Sequence, residues 1–151
     1  MLHSAKGRNL KDVHLVLGLA VLASNLVTGV WGAVAWARRR TSVWFWYLLR
    51  TAQALVVAQV TLGLALLLSN HHAGDSLHYV YGVSPLVVTL VTEGMRTGAA
   101  ERELEGIDDL EALSQTEQRA LARRVLIREM GVMTVGALLI TTLVLRAATT
   151  G

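Results

Sequence analysis

The sequence predicts an all-α protein, a four-transmembrane-helix up-down-up-down bundle with a short cytoplasmic helical insertion between its third and fourth helices. Three observations lead there. Hydrophobic residues fill 53% of the 151 positions, more than an ordinary soluble domain of this size carries. They gather into four blocks, about 13–37, 43–69, 77–97 and 125–147, each near the ~20 residues that cross a bilayer. None of the blocks shows the polar stripe at helical spacing that marks a soluble bundle. Residues 1–151 therefore read as a single transmembrane domain, with 98–124 as its one sizeable connection.

The first block closes on Trp36-Ala37-Arg38-Arg39-Arg40, a charged stop. It is long enough to span, which sets it apart from a cleavable leader, and it is expected to stay in the mature chain. The second block opens on Trp44, Trp46 and Tyr47, suited to a membrane interface, and ends in the turn from Ser69 to Asp75. The third begins with His78, Tyr79 and Tyr81 and contains Pro85, expected to bend the helix a turn or two below His78. The connection that follows is acidic, with Glu101, Glu103, Glu105, Asp108, Asp109, Glu111 and Glu117, and is expected to hold two short helices. Within it, Ser114-Gln115-Thr116-Glu117 has the spacing of a capping box and begins a helix that continues into the fourth block.

Charge sets the orientation. Of the fourteen Lys and Arg, ten fall on the side of the 1–2 turn and the 3–4 connection, including Arg38, Arg39, Arg40, Arg50, Arg96 and Arg128. Positive charge collects on the cytoplasmic face, so both termini are expected to be extracytoplasmic, although Lys6, Arg8 and Lys11 pull the other way. The location implied is a bacterial cytoplasmic membrane, crossed several times. A net charge of +3 does not point to nucleic acid, because the basic residues hug the ends of apolar blocks. The absence of cysteine excludes disulfides, thiolate metal sites and cysteine nucleophiles. No nucleotide-binding loop, zinc-protease helix or nucleophile elbow is present, so the chain is not expected to be an enzyme by itself.

One phrase occurs twice. His14-Leu15-Val16-Leu17-Gly18 returns 64 residues later as His78-Tyr79-Val80-Tyr81-Gly82, and the same shift lays Leu26-Val27-Thr28 on Leu90-Val91-Thr92. A shift of 78 lays Leu48-Leu49-Arg50 on Leu126-Ile127-Arg128. Helices 3 and 4 thus read as a parallel repeat of helices 1 and 2, with helices 1 and 3 running the same way across a diagonal. On each of those helices the histidine stands above a glycine, Gly18 or Gly82, on its own face.

Two imidazoles near hydrocarbon call for an explanation, because ionisable side chains there usually face a cavity, a partner or a cofactor. Paired axial histidines hold haem iron with both axial positions filled, which favours electron transfer. His14 and His78 are accordingly the expected ligands of one haem b, with Gly18 and Gly82 giving the macrocycle a smooth face. The competing expectation is that both rings sit in the headgroup zone as polar anchors. His71 and His72, with Asp75, are secondary candidates for copper or zinc at the outer face, set against a solvated turn. Lys11 and these two histidines are also placed to meet haem propionates. His3, in a tail expected to be irregular, receives no role. Asn25, Gln53 and Gln59 are expected to hydrogen-bond between helices, and Glu93 and Glu129 to pair with Arg96 or Arg128.

In composition and layout the whole chain resembles small four-helix integral membrane proteins of high-GC Gram-positive bacteria, a resemblance that implies a fold and no activity. Its paired helices with outward-side histidines are similar, in architecture only, to the four-helix halves of haem A synthase and to membrane cytochromes b. The Glu-x-x-x-His-Arg pattern of haem A synthase is absent, so haem coordination by His14 and His78 is what this likeness implies, and no haem-modifying activity. Two other readings stay open: a non-catalytic membrane subunit, assembly factor or transporter-like protein, and an outer-face copper or zinc binder. Beyond the lipid bilayer, the partners to consider are a second copy of the chain and a membrane redox complex or other protein at the acidic cytoplasmic segment.

Overall fold

A computed structural model describes residues 2–69, 76–107 and 109–149. They form four helices, α1 (Leu2–Ala37), α2 (Val43–Leu68), α3 (Ser76–Leu104) and α4 (Gln115–Ala148). The protein is all-helical, as expected. Two boundaries differ from expectation. Helix α1 runs back to Leu2 through the segment expected to be irregular. The expected insertion of separate short helices is replaced by outward extensions of α3 and α4, joined by a connection over 105–114 that turns at Gly106 with φ +82°. Leu, Ala, Glu and Arg dominate these extensions, and such residues continue a helix once one is nucleated.

Each turn has a local cause. After α1, the Arg40 N–H reaches the Ala35 carbonyl at 2.9 Å and the Arg39 N–H reaches Trp36 at 2.9 Å. Arg39 adopts φ 49°, so this is a Schellman-type ending with arginine in the place glycine usually takes. Ser42 then caps α2, its Oγ accepting from the Phe45 N–H and also from Trp31 Nε1 at 2.9 Å. The capping box at Ser114 and Glu117 forms as expected and starts α4.

Successive helices are antiparallel. Helix α1 lies beside both α2 and α4, α3 packs along α4, and α2 meets α3 over a shorter stretch. Polar contacts between α2 and α3 gather at one end, where Arg50 Nη1 and Gln53 Nε2 donate to Glu93 Oε1 at 2.6 and 2.8 Å. Arg96 binds the other oxygen of Glu93 at 2.9 Å and lies 3.6 Å from Glu129. Arg128 pairs with Glu103, not with Glu129. Gln53 thus bonds between helices as expected, while Asn25 does not: its amide donates to the Val21 carbonyl of its own helix at 2.9 Å.

Polarity is arranged inside out. Asn25, Thr28, Thr89, Thr92 and Thr134 are buried, while Leu68 is 78% and Trp44 71% exposed, with many other Leu and Val side chains outward. Hydrocarbon asks nothing polar of an outer face, and small residues let helices approach. Three helices are long and apolar enough to cross a membrane: Leu10–Ala37 of α1, Val43–Leu68 and Gln115–Ala148. Helix α3 is not among them; His78, Tyr79, Tyr81, Pro85 and Glu93 dilute its apolar stretch.

Two apolar clusters divide the interior. Phe45, Leu49, Met130 and Met133 pack together toward the arginine end. Val21, Val56 and Ile140, flanked by Leu55, Leu86, Val88 and Val144, form a layer across the middle. Beyond that layer, toward the histidines, packing opens.

Candidate functional site

The open region is a cavity of about 670 Å³ walled by all four helices. It opens beyond the end at which Arg50 and Gln53 of α2 are tied to Glu93 of α3. Val60, Gly63 and Leu64 of α2 face Tyr79, Gly82 and Val83 of α3 across it. Pro85 lines it as well; α3 continues through this residue, whose missing N–H leaves the Tyr81 carbonyl without its helical donor. The middle apolar layer closes the cavity floor, since Val21, Val56 and Val144 belong to both.

His14 and His78 both line this cavity, with ring centroids 6.3 Å apart and planes inclined at 58°. Each is half-buried and faces its neighbour rather than the lipid side. Their surroundings are not equivalent. His78 Nδ1 lies 3.1 Å from the Ala147 carbonyl. A carbonyl only accepts, so His78 carries its proton on Nδ1 and Nε2 holds the free lone pair. His14 Nε2 instead lies 3.2 Å from Gln59 Nε2 on α2. In this arrangement His14 Nδ1 and Gln59 Oε1 are buried with no partner among the described residues. Turning the amide over lets Oε1 accept from Nε2–H and leaves Nδ1 as a bare lone pair, so one ring nitrogen stays unsatisfied either way.

The matched glycines also diverge. A β-carbon on Gly18 would stand 3.2 Å from Gln59 Nε2, so Gly18 admits the glutamine that holds His14 and does not line the cavity. A β-carbon on Gly82 would meet nothing within 4 Å, because Gly82 faces the open space. Lys11 lies at the cavity. His71, His72 and Asp75 lie outside the described residues. Among the described residues there is no group of three or more His, Asp or Glu placed to hold a metal ion.

Two contributors have roles at the site that the sequence does not spell out. Gly63 sits where a β-carbon would lie 3.2 Å from His14 Cε1. Gln59 was expected to bond between helices, but its target was not read. The spacing of Gln59 and Gly63, four residues apart on one helical face, is the signal that a partner for His14 was present. Residue 137, which lies 78 positions beyond Gln59, is alanine, and His78 is held by a backbone carbonyl where His14 meets a glutamine. Comparison with protein-family models, curated proteins and solved structures finds no match to this chain.

Proposed function

We propose that this protein is a small membrane cytochrome of b type, in which His14 and His78 hold one haem within the cavity. The observation that carries this reading is the 6.3 Å separation of the two imidazoles across a cavity of about 670 Å³. A metal–imidazole bond of about 2.0–2.1 Å places two opposed ring centres about 6 Å apart, with each centre about 1 Å behind its ligating nitrogen. The volume falls in the range of roughly 300–1,000 Å³ usual for cofactor sites. His78 is supported as a ligand by its bond to Ala147, which orients the ring and leaves Nε2 available. His14 has the separation but must turn its Nε2 away from Gln59. Gly82 leaves room against α3 for a flat ring system, and Lys11 at the rim offers a cation to its carboxylates.

A bis-histidine haem supplies one-electron transfer. The chain's own part is to fix the imidazoles, exclude water with Val and Leu walls, and close the far side with the Val21–Val56–Ile140 layer. Four spans in a bacterial cytoplasmic membrane, with the histidines toward the outside and the arginines toward the cytoplasm, agree with the charge asymmetry. The acidic segment following α3 is then the cytoplasmic surface offered to a redox complex or other protein partner.

The test is the spectrum of purified protein. A reduced-minus-oxidised α-band in the b-type region is expected, and His14→Ala or His78→Ala singly should remove the six-coordinate form. Fully stable, colourless protein that also fails to take up added haem overturns the reading. A non-catalytic membrane subunit then becomes the better account, with copper and zinc titrations testing His71 and His72.

A further inference from the structure

Away from the cavity, the arginines at the closed end of the bundle fall into two groups. Arg50, Arg96, Arg124 and Arg128 are paired with Glu93, Glu103 or Glu129. Arg38, Arg39 and Arg40 of the α1–α2 turn and Arg119 and Arg123 of α4 are exposed and share no ion pair among the described residues. Helix geometry makes the division. Positions four apart lie on one face, so Arg124 and Arg128 turn together toward Glu103 of α3. Arg119 and Arg123 share a different face, and Arg123 Nη2 donates to the Arg39 carbonyl at 2.7 Å. A carbonyl satisfies that guanidinium without cancelling its charge, so packing brings a cation of α4 up to a turn that already carries Arg38, Arg39 and Arg40. Glu117, the acid closest in sequence to Arg119, is folded back onto Ser114 by the capping box and neutralises none of them. The turn even places an arginine in left-handed backbone, φ 49° at Arg39, where glycine would fit without strain.

We infer that the α1–α2 turn and the Arg119–Arg123 face of α4 together form a binding surface for the phosphodiester headgroup of an anionic phospholipid. The site is separate from the cavity and independent of the haem reading. Helices α1 and α2 are both long and apolar enough to cross a bilayer, so the turn between them stands at its surface. Trp44 beside the turn is 71% exposed and Trp36 45%, in keeping with aromatic side chains at headgroup level. Val30 and Val34 of α1 face outward just inside the turn and offer acyl chains an apolar wall. Guanidinium groups present paired N–H donors that match phosphate oxygens. Each one near an anionic leaflet adds attraction that a zwitterionic lipid lacks. A phosphate held between the turn and α4 would supply the negative charge that the Arg39 carbonyl does not.

Native mass spectrometry of the full-length protein in detergent, with phosphatidylglycerol or phosphatidylcholine added, tests this through the occupancy of lipid adducts. Wild type is expected to favour phosphatidylglycerol about tenfold, and Arg123→Gln or Arg39→Gly each to lower that preference about fivefold. Arg39→Gly puts into the left-handed position the residue that suits it, so loss of preference there reports charge and not unfolding. Arg124→Gln removes the same charge from a guanidinium that faces Glu103 at 3.6 Å and should leave the preference close to that of wild type. Phosphatidylglycerol should also raise the melting temperature of wild type, read by helical circular dichroism, where inorganic phosphate at equal ionic strength does not. Equal occupancy by the two lipids overturns the inference. So does an Arg124→Gln protein impaired as much as Arg123→Gln, which would make net charge the cause, or inorganic phosphate that stabilises as well as the lipid, which would make this a site for free phosphate. Haem content is read in the same spectra as a separate added mass, so failure of the cytochrome reading and failure of this one are told apart.

Discussion

The arginine half and the histidine half of this bundle use the same residue type for opposite ends. In the arginine half, Gly32, Gly131 and Gly136 are sites of contact, while Gly94 and Gly98 meet no neighbour. A β-carbon on Gly32 would stand 2.6 Å from Phe45, one on Gly131 2.7 Å from Trp36, and one on Gly136 2.7 Å from Thr92. Large rings and methyls fill the space that hydrogen leaves, and four helices close onto one another. In the histidine half, Gly82 has nothing within 4 Å and Gly63 yields to an imidazole edge. Gly32, Gly131 and Gly136 let helices touch; Gly82 keeps room. The ion pairs follow the same division, since Glu93 ties α2 to α3 at the arginine end while the cavity separates those helices at the other. A closed, cross-tied half thus supports an open half, which is how a small bundle can keep a cavity without collapsing into it.

Adding a methyl to the closed half should break this contrast most severely. Gly32→Ala is expected to destabilise the fold by about 2–3 kcal/mol, because Phe45 and Thr134 are both fully buried and cannot retreat. The helix-propensity gain of about 1 kcal/mol from glycine to alanine only partly offsets that loss. Denaturant titration in detergent, followed by helical circular dichroism, would check it. Wild-type stability in Gly32→Ala would mean the closed half is looser than described.

Loss of the cross-tie should have a smaller effect. Glu93→Gln leaves Arg50 and Arg96 without their shared carboxylate and is expected to destabilise by about 1–2 kcal/mol, less at high salt because these groups are partly exposed. A cysteine pair placed across the α2–α3 seam should cross-link differently in this variant if Glu93 sets the helix spacing. Unchanged cross-linking and unchanged stability would assign the spacing to apolar packing alone.

The smallest effect sharpens the comparison by reversing its sign. Gly82→Ala meets no neighbour, so it should leave stability unchanged or raise it by up to about 1 kcal/mol. If it instead destabilised the fold as strongly as Gly32→Ala, the cavity wall would have to be packed by something the helices do not supply.

Much of this arrangement was legible in the residues. Four apolar blocks, the Ser114–Glu117 box and the charged end at Arg38 to Arg40 each depend on local chemistry, and each places an element where it forms. The proximity of His14 and His78 was also legible, through their matched positions. The extent of α3 and α4 was not, because an acidic segment reads alike whether it continues a helix or leaves it. Neither was the inequality of the two histidines, which depends on what α2 and α4 bring to each ring.

Composition and order alone determined the helices, their apolar outer faces and the residues available for chemistry, because these follow from transfer free energy and backbone hydrogen bonding within one segment. Which glycines touch and which stand open, that Gln59 meets His14 while a carbonyl meets His78, and that α2 and α3 part beyond Glu93 were decided only when four helices packed together. Those outcomes depend on distances between side chains from different segments, and no single stretch of sequence contains them.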